Sequence, residues 1–109
     1  MSRSWVRVPL EAQIIDELSF WVYILYSESI NSYYKGQTQD LKARLLRHNN
    51  GYEKSTRKGI PWKLIWKAEL DKRSAAMILE KKLKNLSQNK LQEFIKKYNE
   101  DVVRYSDNA

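Results

Sequence analysis

Five side chains in this sequence are of types that move protons, stabilise anions or bind metals, and their spacings let a small fold gather them: Tyr23, Tyr34, Arg44, His48 and Glu80. Arg44 and His48 are four residues apart, which on a helix puts both on one face. An arginine there offers a planar fork to phosphate oxygens, and a histidine one turn later accepts a proton near neutral pH. Glu80 is the only acid between Ser74 and Leu86 and is followed by Lys81, Lys82 and Lys84. A single hard carboxylate suits a divalent cation such as Mg2+ or Mn2+, which keeps most of its waters and takes further ligands from a substrate phosphate. Hydrolysis of a phosphodiester needs a water deprotonated, the charge on phosphorus stabilised, the leaving oxygen helped and the substrate held. A metal on a carboxylate, an arginine and polarised tyrosines could supply these. Each residue also has a plainer reading. A strand tyrosine is commonly an amphipathic core residue. Arg44 and His48 would suit a solvated helix end, and Glu80 would pair with Lys84 one turn on.

The elements that must position these side chains follow from the apolar pattern. Phe20 to Tyr26 is continuous, aromatic and β-branched, the pattern of a central strand covered on both faces. A polar turn over 28–32 leads into a short second strand, Tyr33 to Gly36, so an antiparallel hairpin is expected and both tyrosines can reach one side of it. Asp40 can cap a helix whose apolar side is Leu41, Leu45 and Leu46, and Gly51 stops it after Asn49 and Asn50. Tyr52 to Gly59 reads as a basic loop. Pro61 opens a third strand in which Trp62, Leu64, Trp66 and Ala68 alternate with Lys63, Ile65, Lys67 and Glu69. Ser74 caps a second helix with Ala76, Leu79, Leu83 and Leu86 at helical spacing, and Ser87 caps a third with Leu91, Phe94, Ile95 and Tyr98. The order β-β-α-β-α-α makes an α+β domain, a three-stranded antiparallel sheet flanked by helices. With 109 residues there is room for one core. It is expected over 19–105, and residues 1–18 are expected to be a loose extension, genuine or the product of a start codon set too far upstream.

Charge narrows the partners. The net charge is +7, and the stretch from Lys35 to Lys84 holds fourteen Lys and Arg against five Asp and Glu. Such an excess favours an anionic partner, foremost nucleic acid, over the plainer reading of a solubilising surface. No cysteine is present, which excludes thiolate metal sites and disulfides and fits a reducing cytoplasm, the expected location. The longest apolar run, Phe20 to Tyr26, falls far short of the ~20 residues of a membrane span. The first nineteen residues lack the apolar run of a secretory signal.

In order and spacing these residues resemble the GIY-YIG nuclease superfamily, most closely its small single-domain bacterial members. Trp21-Val22-Tyr23 stands for the first motif and Tyr34-Lys35-Gly36 for the second. After them come Thr38 to Arg44, His48, Gly59 to Ile65, and Arg73-Ser74-Ala75-Ala76 leading to Glu80 and Lys84, so that the likeness runs from Phe20 to roughly Ile95. The resemblance implies metal-dependent cleavage of DNA. It implies that Tyr23 or Tyr34 is the base or orienter of the attacking water, that Arg44 stabilises the phosphate, that His48 assists a tyrosine, and that Glu80 binds the metal. Three positions depart from the pattern: Trp21 replaces the first motif's glycine, Lys35 replaces an apolar residue, and Gln37 stands where several members carry a lysine near the phosphate. Lys35, Gln37, Lys54, Arg57 and Lys58 are the expected nucleic-acid contacts. A binding module that keeps the fold without useful catalysis and an RNA-directed nuclease or binder are the competing expectations. A protein partner for targeting is compatible with all three.

Overall fold

The structure, a computed structural model, describes residues 19–98. The expected extension over 1–18 and the end of the expected domain beyond Tyr98 lie outside the described residues. Strand β1 (Phe20–Ser27) is the middle of an antiparallel sheet in the order β2-β1-β3, with β2 (Ser32–Thr38) and β3 (Trp62–Leu70) as its edges. Helix α1 (Leu41–Asn49) and a 3-10 helix (Lys54–Gly59) lie between β2 and β3, and α2 (Arg73–Lys84) and α3 (Gln88–Lys97) follow. This is the α+β architecture and element order read from the sequence.

Because β1 is central, both of its faces are buried, and each face has its own core. Phe20, Val22 and Ile24 pack with Trp66, Ala68 and Leu70 against Ala76, Leu79 and Leu83 of α2 and Leu91 and Phe94 of α3. Tyr23 and Leu25 pack with Trp62 against Tyr34, Leu41, Leu45, Ile60 and Leu64 on the other face. The hairpin register sets Gly36 opposite Tyr23 and Tyr34 opposite Leu25, which brings both tyrosines to the α1 side, as expected for a tight hairpin.

The expected alternation in β3 fails in the middle. The β1–β3 register slips between Ile24 and Leu25, so Ile24 faces Trp66 while Leu25 faces Leu64, and Ile65 is the extra residue. A bulge of this kind sends the side chains after it to the opposite face. Trp62 and Leu64 therefore pack on the Tyr23 side and Trp66 and Ala68 on the α2–α3 side, so one strand feeds both cores with bulky apolar groups.

The helix ends largely follow the sequence signals. The Asp40 carboxylate accepts from the Ala43 amide at 3.0 Å, the Ser87 hydroxyl accepts from the Lys90 amide at 3.2 Å, and Gly51 leaves α1 with a φ of 81°. Ser74 is not the cap of α2. The Lys72 carbonyl already accepts from the Ala76 amide at 3.1 Å, so the first turn closes ahead of the serine, and no side chain caps it. The second strand is longer than expected, the third begins at Trp62, and the expected basic loop contains the 3-10 helix.

One side chain locks α1 to β3. The Asn49 carboxamide oxygen accepts from the Trp62 amide at 2.6 Å and its nitrogen donates to the Trp62 carbonyl at 3.1 Å, imitating a strand partner at the start of β3. Asn49→Ala leaves both main-chain groups without that partner and is expected to lower stability by about 1–3 kcal/mol, the cost of orphaned, partly buried polar groups. Urea unfolding followed by tryptophan fluorescence measures it, and an unchanged midpoint would mean that water replaces the amide at no cost.

Candidate active site

A hydrogen-bonded row runs inward from β1. Tyr23 is 1% exposed and His48 0% exposed, and the Tyr23 hydroxyl lies 3.0 Å from Nε2 of His48. The other ring nitrogen, Nδ1, lies 2.9 Å from the hydroxyl of Thr56, which is itself 2% exposed. That hydroxyl donates to the Glu53 carbonyl at 3.3 Å. His48 is thus not the solvated helix-end residue of the plainer reading. It sits on the inward side of the last turn of α1, between a strand tyrosine and the 3-10 helix.

Gly36 makes this possible. A Cβ at that position would come 2.7 Å from the Tyr23 hydroxyl oxygen and 3.0 Å from Cε2 of Tyr34. Only a residue without a side chain lets the Tyr23 ring lie across β2 toward His48. Tyr34 stands beside the pair, its ring edge-on to His48 at 4.8 Å and tilted to Tyr23 at 6.2 Å. Its hydroxyl has no hydrogen-bond partner among the described residues.

Glu80 comes from α2, in the other layer, and is drawn to the β2 edge. Gln37 donates to its Oε1 at 2.7 Å and Lys84 pairs with its Oε2 at 3.1 Å, while 17% of the Glu80 side chain stays open. The ion pair of the plainer reading is therefore present, and Gln37, expected to touch nucleic acid, has its amide nitrogen on the carboxylate and also lines the groove at this edge. A groove of about 370 Å³ passes along this edge, lined by Gln37, Thr38, Asp40, Arg44 and Arg73 among others. Neither Arg44 nor Arg73 has a carboxylate partner among the described residues; Arg73 lies over the Phe20 ring. In the sequence Arg73 stands out only as part of a motif, and its place in the groove follows from the start of α2. Lys35 is half-buried near Lys84, and burial first, then that neighbour, lowers its pKa. Lys54, Arg57 and Lys58 are exposed on the 3-10 helix, where Arg57 also ties back to the Gly51 carbonyl at 3.1 Å.

Electrostatics fix the protonation of the row. Burial, followed by the charges of Tyr34, Glu80 and Glu53, pushes the Tyr23 phenol far up, and Arg44 opposes this only in part. Tyr23 therefore holds its proton and cannot act as a standing phenolate. Burial also pushes the His48 imidazole down, helped by Arg44 and Arg47 and opposed by Glu53. Glu53 is itself held below the usual carboxylate range by its hydrogen bond with Arg47 at 3.0 Å. The resting pair is therefore a neutral histidine facing a protonated tyrosine.

Among the described residues no three His, Cys, Asp or Glu side chains gather into a metal cage. The donor set fits Mg2+ in another way. Glu80 offers a single carboxylate, one oxygen held by Gln37 and the other paired with Lys84, near a groove lined by Gln37 and two arginines, and Mg2+ is commonly held by one carboxylate, waters and substrate phosphate. Among the described residues no helix is long and apolar enough to cross a membrane.

These features share a small α+β fold: a buried Tyr–His pair on one face of the sheet, and an arginine groove and a helix-borne glutamate at the β2 edge. The GIY-YIG catalytic domain matches residues 19–99, and the chain belongs to that family of nucleases. It is similar to the solution NMR structure of a UPF0213 protein from Bacillus halodurans, with 28% identity and a TM-score of 0.52 over 76% of this chain and 88% of the other. No curated protein matches the chain.

The depressed His48 pKa sets a pH dependence. An unfolded histidine titrates near 6.5 and the folded one lower, so the unfolded state binds the proton first as pH falls. The stability that neutral His48 contributes is full above about pH 6.5 and is lost as pH drops toward the folded value. Because the chain has one histidine, the window from about pH 6.5 to 5 reports on it before carboxylates titrate. Urea midpoints are expected to fall across that window in the wild type and to stay flatter in His48→Gln. Parallel curves would show that burial does not depress His48.

Proposed function

We propose that this chain is an endonuclease that hydrolyses phosphodiester bonds in DNA and uses a divalent cation, Mg2+ or Mn2+, held at Glu80. The observation that carries this reading is the buried Tyr23–His48 hydrogen bond, with the Arg44 charge acting on both of its partners. A row of this kind serves proton transfer, whereas a module that only binds needs surface charge alone. The phosphodiester lies along the groove, and Arg44 clamps its non-bridging oxygens with two parallel hydrogen bonds. The attacking water gives its proton to the Tyr23 oxygen as Tyr23 passes its own proton to Nε2 of His48. The water oxygen bonds to phosphorus, the bond to one sugar oxygen breaks, and that oxygen takes a proton from solvent. Tyr34, its hydroxyl without a hydrogen-bond partner among the described residues, hydrogen-bonds the phosphate or the water. A cation at Glu80, when bound, supplies Lewis-acid stabilisation of the charge on the phosphate and leaving oxygens. Gln37 holds the Glu80 carboxylate in place, which explains its position better than a direct phosphate contact does. Lys35, Lys54, Arg57 and Lys58 track the backbone, so affinity comes from phosphate contacts with little sequence preference. The cysteine-free composition suits a cytoplasmic enzyme.

Glu80→Gln keeps the shape and removes the anionic ligand. It is expected to abolish cleavage while leaving DNA binding intact or stronger, measured with Mg2+ and Mn2+ on single-stranded, duplex, flapped and branched DNA beside RNA. Wild-type cleavage by this variant at saturating metal would exclude Glu80 as the ligand, and preferential cutting of RNA would move the substrate class.

Arg44→Ala is expected to cut the rate by ~10²-fold or more, the scale for one preorganised donor at a developing charge. Arg44→Lys restores charge without the fork and is expected to recover only part of it. Full activity in Arg44→Lys would reduce the role to simple electrostatics, and full activity in Arg44→Ala would remove the residue from the mechanism.

A further inference from the structure

We infer that Thr56 is a positioning residue that fixes His48 in the Nδ1–H tautomer, so that Nε2 presents its lone pair to the Tyr23 hydroxyl. Counting donors and acceptors along the row gives this direction. The Thr56 hydroxyl has one proton, and it goes to the Glu53 carbonyl at 3.3 Å. Its oxygen is then free to accept, and the only donor that can reach it from the imidazole is Nδ1–H, at 2.9 Å. With the ring neutral, Nε2 is left without a proton and must accept from Tyr23 at 3.0 Å. Three donors meet three acceptors.

The opposite assignment fails on the same count. If Nε2 carried the proton it would donate to the Tyr23 oxygen, and the Tyr23 proton would point into a site that is 1% exposed with no other acceptor among the described residues. A buried donor left unmet costs its full desolvation, which selects the first tautomer.

Thr56 is held firmly enough to impose the choice. Its amide donates to the Glu53 carbonyl at 3.1 Å, and its own carbonyl accepts from the Trp62 indole at 2.7 Å. Gly59 fits against that indole without space for a Cβ, so the 3-10 helix and Trp62 lock together. The sequence offered no sign of this. Thr56 sits between Ser55 and Arg57 in a basic stretch, where a threonine reads as a solvated residue.

The tautomer can be read without any reaction, and the kinetic arm alone rests on the nuclease reading. His48 is the only histidine, so long-range 1H–15N correlation on the uniformly 15N-labelled full chain gives one unambiguous ring. The wild type at neutral pH is expected to show a protonated Nδ1 and a bare Nε2. Thr56→Ser keeps the hydroxyl and is expected to keep that pattern. Thr56→Val keeps the shape without the hydroxyl and is expected to give a mixture of tautomers or the Nε2–H form. If the valine variant does not fold, Thr56→Ala gives the same readout. In DNA cleavage, Thr56→Val is expected to lower kcat by ~10²-fold, the lower end for a lost acid–base contribution, with KM little changed and with rescue by Thr56→Ser. An Nε2–H wild type, or a valine variant with an unaltered tautomer, would overturn the inference. A wild type that shows the Nδ1–H ring yet cuts no DNA would refute the nuclease reading while supporting the tautomer assignment.

Discussion

Tyr23 brings a hydroxyl donor into a nearly buried position, 1% exposed, and the α1 face of the sheet is arranged around giving it an acceptor. His48 supplies that acceptor only if its ring is turned and protonated in one way, which Thr56 secures. Thr56 keeps its place because Trp62 grips its carbonyl, and Trp62 keeps its place because Asn49 pairs with its main chain. Asn49 belongs to the same helix as His48, so the row closes on itself: α1, β3 and the 3-10 helix each hold a neighbour that holds the tyrosine. In a closed loop of this kind partners share one geometry, and their energies do not add as independent terms.

The second constraint is the edge of the sheet. Tyr23 and His48 lie in the α1 layer while Glu80 rises from α2 in the other, so chemistry that uses both must happen where the sheet between them ends. Strand β2 is that edge. Its alternation divides the labour: Tyr34 and Gly36 face α1, and Lys35 and Gln37 face α2. Gly36 gives up its side chain to the Tyr23 ring, and Gln37 spends its amide on Glu80. Alternate residues of one short strand therefore face the two halves of the candidate site, which accounts for a glycine and an amide side by side, one under the Tyr23 ring and the other on Glu80.

How much of this was legible follows from the kind of signal each part leaves. The continuous apolar run of β1, the helical stripes of α2 and α3, and the caps Asp40 and Ser87 are local patterns, and the element order came from them. Ser74 misled because capping preference is local while the start of α2 is set by where Ala76 must be buried. The bulge at Ile65 left no mark, since alternation looks the same on either side of it and only the partner strand reveals the slip. Tyr23, Tyr34, Arg44 and Glu80 were legible as residue types in order. His48 was legible as a candidate base but not as a buried residue, because four-residue spacing gives a shared face and not how deeply that face is covered. The buried place of Thr56 beside His48 and the position of Arg73 in the groove left no local mark, because both come from long-range contacts.

Electrostatics tie the two halves together. Arg44 lowers the pKa of both Tyr23 and His48. It thus favours a negative oxygen beside it and resists a positive imidazole behind it. In the resting protein the second effect joins burial to keep His48 a weak base. On the reading proposed above, a phosphodiester clamped by Arg44 brings a negative charge to the same place and offsets the guanidinium as seen from the ring. The penalty on the imidazolium then shrinks when there is a bond to cut, while the donors aimed at the phosphate remain. On that reading the buried neutral row gains basicity on binding substrate without any part having to move, because the arginine that recognises the phosphate also adds to the burial that holds His48 down.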